Sequence, residues 1–270
     1  MRTSSVALAL SLAFALPALA RPAPDTLAVR VNGGWREWWR TRLVVVRIDP
    51  AKHRFALQLG QGVNFAPNWS VDSVGDSAIV AVNAGQFGRM LPWGWLVTDG
   101  RELTAPGSGP LSMAVVFDSS VAVRFVAPDS LASARASGHI ANAFQSYPTL
   151  LTGDGDVPAL LLAPSPNIDL AHRGSGVAIG ELGDGRLLIA ITRFNALGDA
   201  AASAPFGLTV PEMAALMGAL GCRRAVSLDG GISGQLAVRE AVGPVRKWAA
   251  WRLVPLGLLV LSRPAGSAGY

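Results

Sequence analysis

The stretch TVPEMAALMGALGCRRAVSLDGGIS, residues 209–233, decides the fold. It opens as a helix. Thr209 suits an N-cap, Pro211 suits the first turn, and Glu212 stands three residues after Thr209, as a capping box requires. Met213, Leu216, Met217 and Leu220 then form one apolar stripe. Gly221 ends the helix as a C-cap does. Residues 225–228 follow as a short apolar strand that runs straight into Asp229-Gly230-Gly231. A helix beside a buried strand, with small and polar residues at the strand's end, is the unit from which the rest is read.

Outward from this unit, short apolar runs alternate with Gly, Pro, Asn and Asp turns. The pattern predicts strands at 42–48, 54–59, 78–82, 112–117, 121–125, 177–181, 187–192, 225–228, 235–238 and 256–261. Shorter helices are predicted at 130–137 and 71–75. Strands dominate and helices are not regularly interleaved. This predicts an α+β fold, a strand-rich single domain over residues 21–270 with a mixed sheet and a few helices packed on it. The apolar segment 253–261 is too short to span a bilayer, which needs about 20 residues, and reads as a buried strand of the main sheet.

The first 20 residues read as a secretory signal peptide. Arg2 gives the positive start, residues 6–16 an apolar run, and Ala18-Leu19-Ala20 an A-x-A cleavage pattern. The expectation is a secreted or periplasmic protein with no stable membrane span. The remaining length is enough to bury about three quarters of the unfolded surface without disulfides. Cys222 is the single cysteine, and its apolar surroundings predict a core role. The formal charge of +5 over 270 residues is mild, and the basic residues are scattered. That argues against a nucleic-acid partner.

Three segments end apolar strands in small, polar residues. In the first, Asn83 closes a strand and Ala84-Gly85 permit a tight turn before Gln86 and Phe87. In the second, Asp229 stands before Gly230 and Gly231, whose N–H groups are suited to an anion-binding nest, and Ser233 adds a hydroxyl. In the third, His172 and Arg173 precede a glycine-rich approach to a strand, and arginine suits bidentate phosphate contact. The other histidines, His53 and His139, share no ligand spacing with His172.

Taken in order, these segments resemble the phosphodiester glycosidase family, from Leu43 to Leu261. Val46-Arg47-Ile48-Asp49-Pro50 resembles the family's opening "v.ridP", and Ala81 to Phe87 resembles "aiNGGFF". Gly94 to Gly100 resembles "G.vi.dG", Tyr147 to Gly153 "yP.Ll..G", and Arg173 with Ala178-Ile179-Gly180 "R.aiG". Gly207 to Ser233 resembles the most specific block, which ends in "LDGGgSs". The chain departs from the pattern at Gln86, where an aromatic is usual, at Ile232 in place of a third glycine, and at Gly234 in place of a second serine.

The resemblance implies a hydrolase that releases a sugar from a sugar-1-phosphodiester, with a sugar-phosphate or polysaccharide substrate and no cofactor. A phosphate monoester, with a second pKa of about 6, departs with little help from an acid. The site then needs a phosphate cradle and a way to activate water. Arg173, Gly85, Gln86, Gly230, Gly231 and Ser233 are expected to bind substrate. Asp229 is expected to act as base or nucleophile, Asn83 to hold a sugar hydroxyl or orient the water, and His172 to assist. Asp99 and Glu212 are available as a second carboxylate. Two other readings remain open. One is a carbohydrate-binding protein that uses tryptophans such as Trp35, Trp38, Trp39, Trp93 and Trp95 as platforms. The other is a metal-dependent phosphodiesterase with calcium or magnesium on Asp229. The sequence leaves the oligomeric state unknown.

Overall fold

The structure, a computed structural model, describes residues 25–30, 40–62, 64, 66–88, 90–118, 122–163, 168–194, 206–240 and 244–263. The expected signal peptide and the cluster Trp35, Trp38 and Trp39 lie outside the described residues.

Short strands separated by turns assemble into three sheets. The first has six strands in the order β1 (Asp25–Arg30), β2 (Arg40–Ile48), β14 (Leu187–Phe194), β13 (Val177–Leu182), β15 (Cys222–Leu228) and β12 (Thr149–Leu151). The second runs β10 (Val123–Val126), β9 (Met113–Asp118), β11 (Ile140–Ser146), β7 (Leu96–Thr98) and β8 (Arg101–Thr104). The third runs β17 (Val245–Trp248), β16 (Leu236–Arg239), β4 (Ala78–Asn83), β18 (Leu256–Ser262) and β3 (His53–Leu59). A small hairpin pairs β5 (Phe87–Gly88) with β6 (Leu91–Pro92).

Inward-facing residues of all three sheets share one buried cluster. Val44, Ile179 and Ile189 come from the first sheet, Val115 and Phe144 from the second, and Val82 and Leu258 from the third. The period of two is plain along β14. Leu187, Ile189 and Ile191 join the central cluster, while Leu188 and Ala190 pack on the other face beneath a helix. Strands covered on both faces read as unbroken apolar runs, which is why β2, β13 and β14 were easy to read.

That helix is α2 (Val210–Ala219). Thr209 Oγ1 accepts from the Glu212 N–H, and the Glu212 carboxylate accepts from the Thr209 N–H, so the capping box forms as read. Met213, Ala214 and Met217 are buried against Leu150, Leu151 and Cys222. Burial pushes the Cys222 thiol up to about 12 despite the opposing charge of Arg47, as befits an unreactive core residue. A second helix, α1 (Leu131–Ala136), covers the second sheet through Leu131 and Ala134. Residues 71–73 form a single 3₁₀ turn capped by Ser70. No helix among the described residues is long and apolar enough to cross a membrane.

The mixed sheet expected from the sequence is corrected by the structure: every pairing among the described strands is antiparallel. A parallel pair needs a crossover of a dozen or more residues. Here neighbours such as β13 and β14 are joined by a tight turn through Gly183 to Arg186, and α2 leads into a strand antiparallel to its neighbours.

Candidate active site

Two strand ends from different sheets meet at one place. β4 of the third sheet stops at Asn83, and β15 of the first sheet stops at Leu228, just before Asp229. Four hydrogen bonds stitch the loops that follow. The Asp229 N–H donates to the Gly85 carbonyl at 2.9 Å. Asn83 Nδ2 donates to the Asp229 carbonyl at 2.6 Å. The Gln235 N–H donates to Asn83 Oδ1 at 2.9 Å, and the Asn83 N–H to the Gln235 carbonyl at 3.4 Å. Asn83 is only 1% exposed. Its amide is therefore engaged at both ends with backbone, and it holds Asp229 in place rather than facing a ligand, which corrects its expected role at a sugar hydroxyl or water. Gly85 has φ +65°, a turn that a side chain would strain, as its sequence context implied.

The Asp229 carboxyl lies at the head of this junction, partly accessible. Burial raises its pKa above the ordinary carboxylate value, opposed by a hydrogen bond with Ser233 and by the charge of Arg252. Ser233 is buried on the 3₁₀ turn Gly231–Ser233. Arg252 comes from a third segment. Its N–H donates to the Ile232 carbonyl at 3.1 Å, and its guanidinium lies 4.6 Å above the centre of the Phe87 ring. Phe87 follows Gln86, whose Nε2 donates to the Tyr147 carbonyl at 2.9 Å. Three segments thus converge: residues 83–87, 229–235 and 251–252.

The third expected segment meets them by its backbone. The Gly231 N–H donates to the Ser175 carbonyl at 2.7 Å. A Cβ on Gly230 would lie 2.3 Å from that same oxygen, so only glycine fits there. Of the nest expected from Gly230-Gly231, the Gly231 N–H is thus turned inward and taken. Arg173 is engaged within the protein. Its guanidinium makes a bidentate pair with the Glu212 carboxylate at 2.7 and 2.6 Å and a further bond to the Gly207 carbonyl. Burial acts to raise the Glu212 pKa, but the Arg173 and Thr209 hydrogen bonds outweigh it and hold the carboxyl low. Glu212 is thus a capping and pairing residue. His172 is exposed, on a turn closed by Asp169, and hydrogen-bonds neither Asp229 nor Asn83. Asp99 sits in the turn between β7 and β8, its N–H donating to Asn142.

The sequence reading missed two arginines. Arg252 is one. Arg193 is the other, 1% exposed, with its pKa lowered to about 10 by burial. Its Nη1 donates to Ser175 Oγ at 2.9 Å, and its Nη2 reaches the carbonyls of Gly234, Trp248 and Ala249. It fastens the Ser175 segment to the two loops on either side of β16 and β17. The partners of Arg193, a distant serine hydroxyl and backbone carbonyls, left no sequence signal. Arg252 carried one, as a lone cation beside Trp251, but nothing in spacing tied it to Asp229.

Arg173→Met is expected to lower stability by about 2 kcal/mol through loss of charged hydrogen bonds and to leave the Michaelis constant for a phosphate-bearing substrate unchanged. Thermal denaturation together with substrate saturation reads both. A tenfold rise in that constant with no loss of stability would return anion binding to Arg173.

A cavity of about 510 Å³ opens elsewhere, between Pro106 to Pro110 and the face of α1. None of the candidate site residues lines it, and it is not the candidate site. Among the described residues, no group of three or more His, Cys, Asp and Glu side chains is placed to hold a metal ion.

The model of the phosphodiester glycosidase family matches residues 76–261, more than half of the chain. The chain belongs to the phosphodiester glycosidase family. A comparison with curated proteins finds no match. Among solved structures, the chain is similar to the catalytic domain of zebrafish N-acetylglucosamine-1-phosphodiester alpha-N-acetylglucosaminidase, auto-inhibited by its pro-peptide. The TM-score is 0.64 at 15% identity, covering 89% of this chain and 83% of that one. A hypothetical protein from Synechocystis is similar with a TM-score of 0.53 at 15% identity, covering 88% of this chain and 61% of that one. At such identities these two likenesses concern the fold alone.

Membership supports a glycosidase-type hydrolase, and the chain's departures from the phosphodiester glycosidase pattern have physical correlates. Gln86 ties the Asn83 loop to Tyr147. A Cβ on Gly234 would lie 2.7 Å from Val177 Cγ2, which leaves no room for the family's serine. Ile232, where the pattern has glycine, is 44% exposed beside Asp229.

Proposed function

We propose that this chain hydrolyses a sugar-1-phosphodiester outside the cytoplasm, cutting the bond between the anomeric carbon and the phosphate oxygen. The observation that carries the reading is the Asp229 carboxyl, partly buried at the meeting of three segments, with its pKa raised and Arg252 acting on its charge. A carboxyl whose pKa is raised accepts a proton more readily than an ordinary one, as a general base requires. Water attacks the anomeric carbon and gives its proton to Asp229. The C1–O bond breaks, and its electron pair leaves on the phosphate, which needs little protonation because its second pKa is about 6. Arg252 offsets the charge gathered on that phosphate. Ser233 orients the Asp229 carboxyl, and Asn83 with Gly85 fixes its backbone. The signal-like start, residues 1–20, supports export.

The purified protein should release free sugar from UDP-N-acetylglucosamine or an aryl sugar phosphodiester, with and without chelator. Release of sugar 1-phosphate instead of free sugar, or complete loss of turnover with chelator, would replace this reading with a metal-dependent phosphodiesterase.

A further inference from the structure

Exposed apolar side chains occur on, or next in the chain to, the segments that meet at Asp229. Among the described residues eleven large ones are exposed, and five of these, Met90, Leu91, Ile232, Trp251 and Leu253, lie on the segments that meet there or directly beside them. Trp251 is 64% exposed and Ile232 44%. Water-facing apolar groups gathered at one place mark a binding surface more often than chance placement does. Trp251 is also held in register with the catalytic loop. Its N–H donates to the Ile232 carbonyl at 2.9 Å, the same oxygen that receives the Arg252 N–H at 3.1 Å. Trp251 and Ile232 therefore move with Asp229.

Exposure and chain order suggest what each group meets. Asp229 is partly buried, while Arg252 and Trp251 are both exposed. Arg252 lies over Phe87, and Trp251 is its chain neighbour. A substrate whose anomeric carbon reaches Asp229 and whose phosphate reaches Arg252 brings its next ring to Trp251.

We infer that Trp251 and Ile232 form a subsite for the ring beyond the phosphate, and that this subsite sets which leaving group the chain accepts. The inference rests on the function proposed above for what occupies Asp229 and Arg252. The chemistry it needs is a ring with one weakly polar face, to lie against the indole. A pyranose and a nucleoside both offer one. Ile232, joined to Trp251 by its backbone, supplies a second apolar side chain where the family has glycine.

Calorimetric titration in the Asp229→Asn background, where turnover is expected to fall at least about 100-fold, tests this. Three probes are used: N-acetylglucosamine 1-phosphate, which has no ring beyond its phosphate, UDP-N-acetylglucosamine, and a sugar-1-phospho-6-sugar diester. Adding Trp251→Ala should weaken at least one of the two longer probes about tenfold, the scale of a lost aromatic stack. It should leave the 1-phosphate within about twofold. Ile232→Gly should act in the same direction with a smaller effect. The probe that loses affinity names the ring as nucleoside or sugar. Unchanged binding of both longer probes, equal loss on all three, or no binding of any probe by the folded parent would overturn the subsite. Trp251 is exposed, so thermal unfolding should be unchanged and serves as the control. Trp251-dependent binding with no hydrolysis by the unmodified protein would end the proposed function and keep the subsite. Hydrolysis that does not depend on Trp251 would do the reverse.

Discussion

Asp229→Asn is expected to cut turnover at least about 100-fold while leaving the fold as stable at neutral pH as before, or more stable. The two effects have one cause. The protein surrounds this carboxyl with enough apolar and backbone matter to raise its pKa, and the hydrogen bond from Ser233 and the charge of Arg252 do not fully offset that. Its folded pKa therefore lies above its unfolded one. Above both values the charged carboxylate disfavours the folded state. Below the ordinary carboxylate value of about 4 it is protonated in both states, and the penalty is gone. Asparagine keeps the size and a hydrogen-bonding oxygen but carries no charge. The melting temperature of the variant should match or exceed that of the unmodified protein near pH 7, and the difference should shrink as the pH falls toward about 4. In the unmodified protein, the rate should fall on acidification with a midpoint above the ordinary carboxylate range. Near-full activity of Asp229→Asn would remove this residue from the chemistry. A large loss of stability at neutral pH would mean that the charge is compensated by groups other than Ser233 and Arg252.

Asn83→Ala is expected to be the most destabilising single change at the site. The side chain is buried and joins two sheets through the Asp229 carbonyl and the Gln235 N–H. Alanine leaves both partners buried and unsatisfied, at about 1–3 kcal/mol each. Turnover should fall at least about tenfold as well, because a small misplacement of a reacting group is costly. Asn83→Asp separates the two contacts. It keeps the acceptor for Gln235 but sets a carboxylate oxygen against the Asp229 carbonyl, so activity should remain low even if part of the stability returns. Denaturant unfolding and steady-state kinetics on the two variants give the answer. If the alanine variant unfolds within 1 kcal/mol of the unmodified protein and turns over normally, Asn83 is not the staple described here.

All ten strands expected from the sequence are present with small shifts of their ends, because most carry a dense Val, Ile or Leu run that burial explains. β11 was not legible. Its sequence, IANAFQS, mixes Asn142, Gln145 and Ser146 with apolar residues, as a turn-rich segment would. Yet it is a central strand of the second sheet. Each of those polar side chains is buried and bonded to backbone of another segment: Asn142 to Phe55, Gln145 to Trp95 and Gly107, and Ser146 to Ser227. Partners that lie tens of residues away leave no local pattern.

The sequence by itself determined the capped helix α2, the apolar strands and the loop residues at which β4 and β15 end. These depend on local spacing, on burial tendency and on the few residue types a turn accepts. Tertiary structure alone decided which polar groups those loops would face. It engaged Arg173 with Glu212, turned the Gly231 N–H toward Ser175, committed Asn83 to backbone and brought Arg252 to Asp229. An arginine or an asparagine has the same character in any sequence. Its role is set by the nearest unsatisfied partner in space, and that partner is chosen only when distant strands have packed.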